Sequence, residues 1–401
     1  MTQYSGKVIR KTPVTPTQQS ASGVWTTAQQ AAAIRNNSWP VPGVPNPISR
    51  SLRFRSSASA YLSRAASLFT SSPTTFTISC WVKRGKLGAA QYICSSTPPA
   101  TGTPAYFGFN ASDQLVCYLS NVSASAANVT TTAVYRDPSA WYHVVVSSAS
   151  GGTLYIYVNG VQAASVSAST GYFFFNNNTA NSYLNAIGEY GAALTGFFDG
   201  YIAEFNYIDG QQLTPSSFGT TDTSSGAWIP MPYTGTYGAN GFYLNFKDNS
   251  STTNLCLDYS GNGNNWQPNN ISLTSGSTYD SMLDVPTPWV GYTTTTDTSA
   301  VTRGNYAVIS PIVPTNAGVV SDGNLTFTLS GSFGTKEATM QSTTLLQYAE
   351  FYVTSGLPVI GVKTPGVNLT TNVGTPPSGY WGTYDNGASF NLMANGSVQA
   401  S

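Results

Sequence analysis

WYHVVVSSASGGTLYIYVNG, residues 141–160, decides the fold. Leu154, Ile156 and Val158 alternate with Tyr155 and Tyr157. A period of two places the aliphatic side chains on one face of a strand and the tyrosines on the other. Asn159-Gly160 follows, a pair that accepts the positive φ of a tight hairpin turn. Upstream, WYHVVV reads as another strand, so the stretch predicts two strands of a half-buried antiparallel sheet.

Working outward, short strand patterns recur between Gly, Asn and Ser turn signals. They fall at Leu52–Phe54, Phe76–Val82, Tyr92–Cys94, Ala105–Phe109 and Leu115–Leu119, then at Tyr142–Ser147, Thr153–Val158, Leu184–Ile187 and Gly200–Tyr207. Helical periodicity is scarce, and many short strands without intervening helices predict an all-β sandwich or jelly roll. Leu213–Phe218 closes this unit with a turn or one helical turn. Later strand patterns lie at Gly241–Phe246, Asn254–Tyr259, Tyr306–Ile309, Leu325–Leu329, Tyr348–Val353, Val359–Val362 and Ser389–Met393.

Composition agrees and narrows the partners. Of the 401 residues, 13% are aromatic, with 25 Tyr and 8 Trp, and only 8% are charged. Lys plus Arg (16) equals Asp plus Glu (16), which argues against nucleic acid or an anionic membrane surface as partner. So few charges favour a subunit whose surface is covered in an assembly. MTQYSGKVIRK has no apolar run behind its basic residues, so no export signal is expected. Cys80, Cys94, Cys117 and Cys256 lack metal-site spacing and read as reduced core thiols.

Four segments are expected. Residues 1–50 are Pro-rich and carry either a disordered tail or an extended docking arm; the apolar Val24, Trp25 and Trp39 favour the arm. Residues 51–218 form the sandwich. Residues 219–304 read as an irregular Thr/Asn/Gly-rich linker with short strands, and residues 305–401 as a second, smaller β region.

The sandwich segment resembles laminin-G-like (concanavalin A-like) jelly-roll domains. The resemblance rests on SLRF at 51–54, FTISCWVK at 76–83, AWYHVVVS at 140–147, LYIYVNGV at 154–161 and FDGYIAEFNYIDGQQLTPSSFG at 198–219. GFYLNFKDNSS at 241–251, LDYSGNGNNWQPNNIS at 257–272, DSMLDVPT at 280–287 and RGNYAVISP at 303–311 are similar to a linker of bacteriophage tail and fibre proteins. In those proteins it leads into a SPRY-like sandwich, matched here by Gly323-Asn324-Leu325 and YAEFYV at 348–353. The N-terminal SGVWTTAQQ also looks like their virion-attached end.

Chemistry is sparse. His143, the one histidine, lies in the apolar WYHVVV strand without a nucleophile motif and reads as structural. Glycoside hydrolysis requires two carboxylates ~5–9.5 Å apart, yet Glu204 stands as the lone acid within its strand pattern. Asp199 and Asp209 bracket that strand and are weak calcium candidates by residue type. Tyr172, Phe173, Phe174 and Phe175, followed by Asn176 and Asn177, read as a subunit interface or a glycan platform.

The expectation is a non-enzymatic structural bacteriophage virion protein, either a tail fibre or spike component or a capsid-attached fibre or decoration protein. It is assembled in the host cytoplasm and docks by its arm onto other virion proteins as a homo-oligomer, a trimer being favoured. It carries no cofactor unless calcium binds. The alternative is a carbohydrate-binding module recognising host surface glycans.

Overall fold

The structure is a computed structural model that describes residues 48–65, 74–97, 104–120, 125–167, 184–191, 194–222, 226–286, 304–312, 318–329, 336–339, 351–353, 359–363, 380–385, 390–394 and 397–400. The chain opens with β1 (Ser51–Phe54), β2 (Tyr61–Ala65), β3 (Phe76–Arg84), β4 (Gln91–Thr97), β5 (Ala105–Phe109) and β6 (Leu115–Ser120). It continues through β7 (Ser125–Thr130), β8 (Trp141–Ser148), β9 (Thr153–Val158), β10 (Val161–Ser167), β11 (Leu184–Ile187) and β12 (Gly200–Asp209). Shorter pieces follow: β13 (Gly219–Thr221), β14 (Trp228–Pro230), β15 (Phe242–Leu244), helix α1 (Thr252–Leu255), β16 (Gln267–Asn269) and β17 (Ser281–Met282).

Two antiparallel sheets face one another. One runs β10-β9-β8-β3-β12-β1-β17, with β15 beside β12, and the other runs β16-β2-β11-β4-β5-β6-β7. Alternation decides which side chains meet between them. From the first sheet Ile78, Cys80, Val82, Val144, Val146, Leu154, Ile156 and Ile202 enter the core fully buried. The second sheet contributes Leu62, Cys94, Phe107, Phe109, Leu115, Cys117, Leu119 and Ile187. Each buried Val, Leu, Ile or Phe contributes roughly 1.5–3 kcal/mol, which makes this layer the main source of stability. All four cysteines are free and buried, as their spacing implied. The architecture is the all-β jelly-roll sandwich that the alternation predicted.

Within residues 51–218, three strands escape sequence reading: β2, β7 and β10. The β10 sequence VQAASVS is mostly exposed at a sheet edge, so it carries no apolar alternation to read. Asn254–Tyr259 is a correction of another kind. No strand forms there; Ser251 Oγ accepts from Asn254 N at 3.0 Å and caps the short α1 instead.

The short strands after β14 join the two sheets. β15 pairs with β12, β16 extends the second sheet beside β2, and β17 extends the first beside β1. Buried charges lock the layer down. Asp280 accepts from Arg53 Nε at 3.1 Å and from Arg55 Nε at 2.8 Å. Asp284 accepts from Lys83 Nζ at 2.7 Å and from Trp141 Nε1 at 2.9 Å. Burial pushes Lys83 down and Asp284 up from their ordinary pKa values, but Asn305 Oδ1 and the Tyr306 carbonyl complete three acceptors for the ammonium. A second apolar cluster of Trp81, Trp141, Tyr201, Ala203, Val285 and Val308 forms outside the first sheet.

Beyond residue 311, β18 (Gly318–Ser321) and β19 (Thr326–Leu329) make a hairpin. β20 (Val359–Lys363), β21 (Tyr380–Asp385), β22 (Phe390–Ala394) and β23 (Ser397–Ala400) form an antiparallel meander. Two strands expected nearby do not form as read. Ile309 makes only an isolated bridge to Ala338, and residues 351–353 are not in a strand.

Candidate functional site

Cross-strand register builds an aromatic surface on the outside of the second sheet. In β5 and β6, Phe107 and Cys117 point into the core, so Tyr106 and Tyr118 point out, directly opposite one another. Their rings stack with centroids 5.4 Å apart. Tyr92 on β4 meets Tyr106 edge-on at 5.1 Å, and Tyr190, just after β11, lies 4.6 Å from Tyr92 and 5.6 Å from Tyr106. All four rings are partly exposed.

The backbone around these rings is fixed. Ser95 Oγ donates to the Glu189 carbonyl at 2.8 Å and accepts from Gly191 N at 2.9 Å, which pins the turn carrying Tyr190. Gly108 pairs with Tyr92 across the strands; a Cβ there would lie 2.2 Å from the Gln91 carbonyl oxygen, so only glycine fits. Burial and the neighbouring phenols push the Tyr106 hydroxyl up to about 12, so it remains a hydrogen-bond donor at any ordinary pH. Asn128, exposed on β7 opposite Tyr118, adds a polar amide at the border. The surface therefore offers flat apolar ring faces beside hydroxyl and amide groups. Such a surface suits a ligand with C–H groups on one side and hydroxyls around its edge.

A second feature lies on the outside of the first sheet. Trp228 on β14 folds over β8, its ring held between Gly160 and Gly219, where an added Cβ would come within 2.7 Å and 2.6 Å of the indole. Its Nε1 donates to His143 Nδ1 at 2.9 Å, while His143 Nε2 meets Ser79 Oγ at 2.9 Å. Full burial pushes the imidazole down to about 3. Beside it a β-bulge interrupts the β12–β3 register between Ala203 and Asn206, with Glu204 at φ +50°. Counting in twos from the inward Ile202, position 204 would face the core. The bulge re-aims it, and its carboxylate accepts from Tyr243 Oη at 2.5 Å.

The calcium candidates are not brought together. Asp199 precedes β12 and Asp209 ends it, roughly 30 Å apart at the rise of a strand. Asp199 accepts from Ser56 Oγ and Gly323 N, both at 2.8 Å, and Asp209 from Asn240 Nδ2 at 2.8 Å. Among the described residues, no three His, Cys, Asp or Glu side chains gather as a metal site. Tyr172 to Asn177 and the arm residues Val24, Trp25 and Trp39 lie outside the described residues. The four-tyrosine face went unread because its members are scattered from residue 92 to residue 190. A local signal did exist: Tyr106 and Tyr118 occupy the outward positions of two apolar alternations.

Comparison with known proteins bears on the sandwich. Residues 56–211 match the family model described as the concanavalin A-like lectin/glucanases superfamily. The sandwich has the concanavalin A-like jelly-roll fold. Among solved structures, the chain is similar to a candidate carbohydrate-binding protein from Bacteroides ovatus at 18% identity and TM-score 0.36, over 58% of this chain and 60% of that one. It is also similar to the heptameric SAP-like pentraxin of Limulus polyphemus at 17% identity and TM-score 0.30, over 42% of this chain and 78% of that one. A sialidase CBM40 from Ruminococcus gnavus, bound to α2,3-sialyllactose, aligns at 14% identity and TM-score 0.28, over 39% and 85% of the two chains. No curated protein matches the chain.

Proposed function

We propose that the concanavalin A-like domain is a non-catalytic carbohydrate-binding module, and that the face of Tyr92, Tyr106, Tyr118 and Tyr190 is where it holds the glycan. The carrying observation is the unbroken series of contacts between these rings on an outward sheet face, with Tyr106 and Tyr118 stacked. Three strands at the usual spacing span about 10 Å, enough for two sugar rings to lie along the phenols. The match of residues 56–211 to a family model named for lectins and glucanases supports the same reading. A binding role is favoured over hydrolysis because Glu204 is the sole carboxylate lining the cleft outside the first sheet, whereas glycosidases work with two.

The test is a glycan array with the full chain, followed by titration of the best ligand. Tyr106→Ala and Tyr118→Ala should each weaken binding about tenfold, about 1.4 kcal/mol, without lowering the melting temperature. Tyr155→Ala, on the opposite sheet, should leave affinity alone. An array without a hit, or wild-type affinity in both platform variants, would overturn the proposal.

A second reading is a virion subunit that displays this module, with a SPRY-like continuation at its C-terminal side. It is supported by the sequence resemblance over residues 241–311. Many residues of those motifs also have structural duties: Asp280 and Asp284 bind buried cations, and Trp266 is 1% exposed. Immunolabelling of purified phage particles tests it, and unlabelled particles would dismiss it.

A further inference from the structure

Outside the first sheet, under Phe218 and residues 230–243, lies a cavity of about 40 Å³. Trp81, Phe218, Tyr233, Tyr237 and Tyr243 surround it, with Glu204 in the wall. The rings form a continuous curved row: Phe218 to Tyr233 is 5.1 Å, Tyr233 to Tyr237 is 5.1 Å edge-on, and Tyr237 to Tyr243 is 6.2 Å. Among the described residues, no lysine or arginine lines the space. Its histidine, His143, has Nδ1 occupied by the Trp228 N–H. Glu204 is thus the one charged group of the lining, and its strained φ of +50° is what turns it there.

Aromatic faces are negative at their centres, and a carboxylate adds a full negative charge, so the enclosure is matched to a cation. Its size limits the head group. At ~10–15 Å³ for each water, the cavity has room for about three, which corresponds to two or three non-hydrogen atoms. Ser79 and Asn206 also line it, and a hydroxyl oxygen and an amide oxygen are acceptors for an ammonium. We infer that this cavity binds the protonated amine of a small ligand, the ammonium seated against the Glu204 carboxylate and the tyrosine faces. The site is on the other sheet from the four-tyrosine face and does not depend on it.

Trp81 in the wall makes binding visible as a change in tryptophan fluorescence of the full chain. Propylammonium should give a saturable change at millimolar concentration, and n-butanol, similar in size but neutral, should not. Glu204→Gln should weaken the response at least tenfold. Tyr233→Ala, at the partly exposed rim, should weaken it too and serves if the first variant does not fold. Glucosamine and Nα-acetyl-lysine then distinguish an amino sugar from a peptide as the source of the amine. Equal responses to propylammonium and n-butanol, no saturable response, or unchanged affinity in the folded variants would each overturn the inference.

Discussion

The indole N–H of Trp228 donates to Nδ1 of His143 at 2.9 Å. An acceptor at Nδ1 places the imidazole proton on Nε2, which therefore donates to Ser79 Oγ. The ring lies 4.9 Å from Trp81 and 6.0 Å from Trp228. With its proton already directed at the serine, His143 cannot take one from that hydroxyl. The Ser79–His143 pair is therefore a structural clasp holding the Trp228 cover onto the sheet.

That clasp is sensitive to acid. The imidazole is lowered from 6.5 to about 3 by burial, so the unfolded chain takes up a proton before the folded one does. The neutral ring's contribution is complete above pH 6.5 and is lost as pH falls toward 3. His143→Leu should cost about 1–3 kcal/mol at pH 7 by leaving buried donors unpaired. Its urea midpoint should then fall less between pH 7 and pH 4 than that of the wild type. Parallel pH profiles would show that the imidazole is not the titrating group.

Asp280 is a tie between the early and late parts of the chain. It holds Arg53 and Arg55 from a position more than 220 residues away in sequence. Removing one partner of a buried ion pair costs about 3–5 kcal/mol, because the remaining charge stays buried. Asp280→Ala should destabilise the whole sandwich in guanidinium unfolding and expose residues 219–286 to limited proteolysis. Wild-type stability would mean that the late segment is merely apposed.

Legibility in the sequence followed burial. β8 and β9 were readable because one face of each is apolar: Leu154 and Ile156 are fully buried while Tyr155 and Tyr157 face out. β10, on the sheet edge, has no such contrast. Asp280 and Asp284 look like turn residues in DSMLDVPT, since only the fold brings buried arginines and a lysine to them. The tyrosine face needed strand order as well as alternation, because Tyr190 reaches Tyr92 through the β11–β4 pairing. Glu204 was visible as the lone acid of its strand. Its outward aim depends on a bulge that no periodicity announces.

Glu189 gives the chain a stability profile that falls toward alkaline pH. Its side chain is fully buried, and neither carboxylate oxygen has a hydrogen-bond partner among the described residues. Burial raises it from 4.5 to about 8, and burial, with the Glu189 charge beside it, lifts the Tyr61 hydroxyl. The protonated folded form contributes fully below pH 4.5, and that contribution is lost as pH rises through about 8. Glu189→Gln keeps the shape without the charge. Each kcal/mol corresponds to about 2–4 °C for a domain of this size, so the variant should melt several degrees above wild type at pH 9 and close to it at pH 4.5. A difference that does not grow between those two pH values would mean that Glu189 ionises as freely in the folded chain as in the unfolded one.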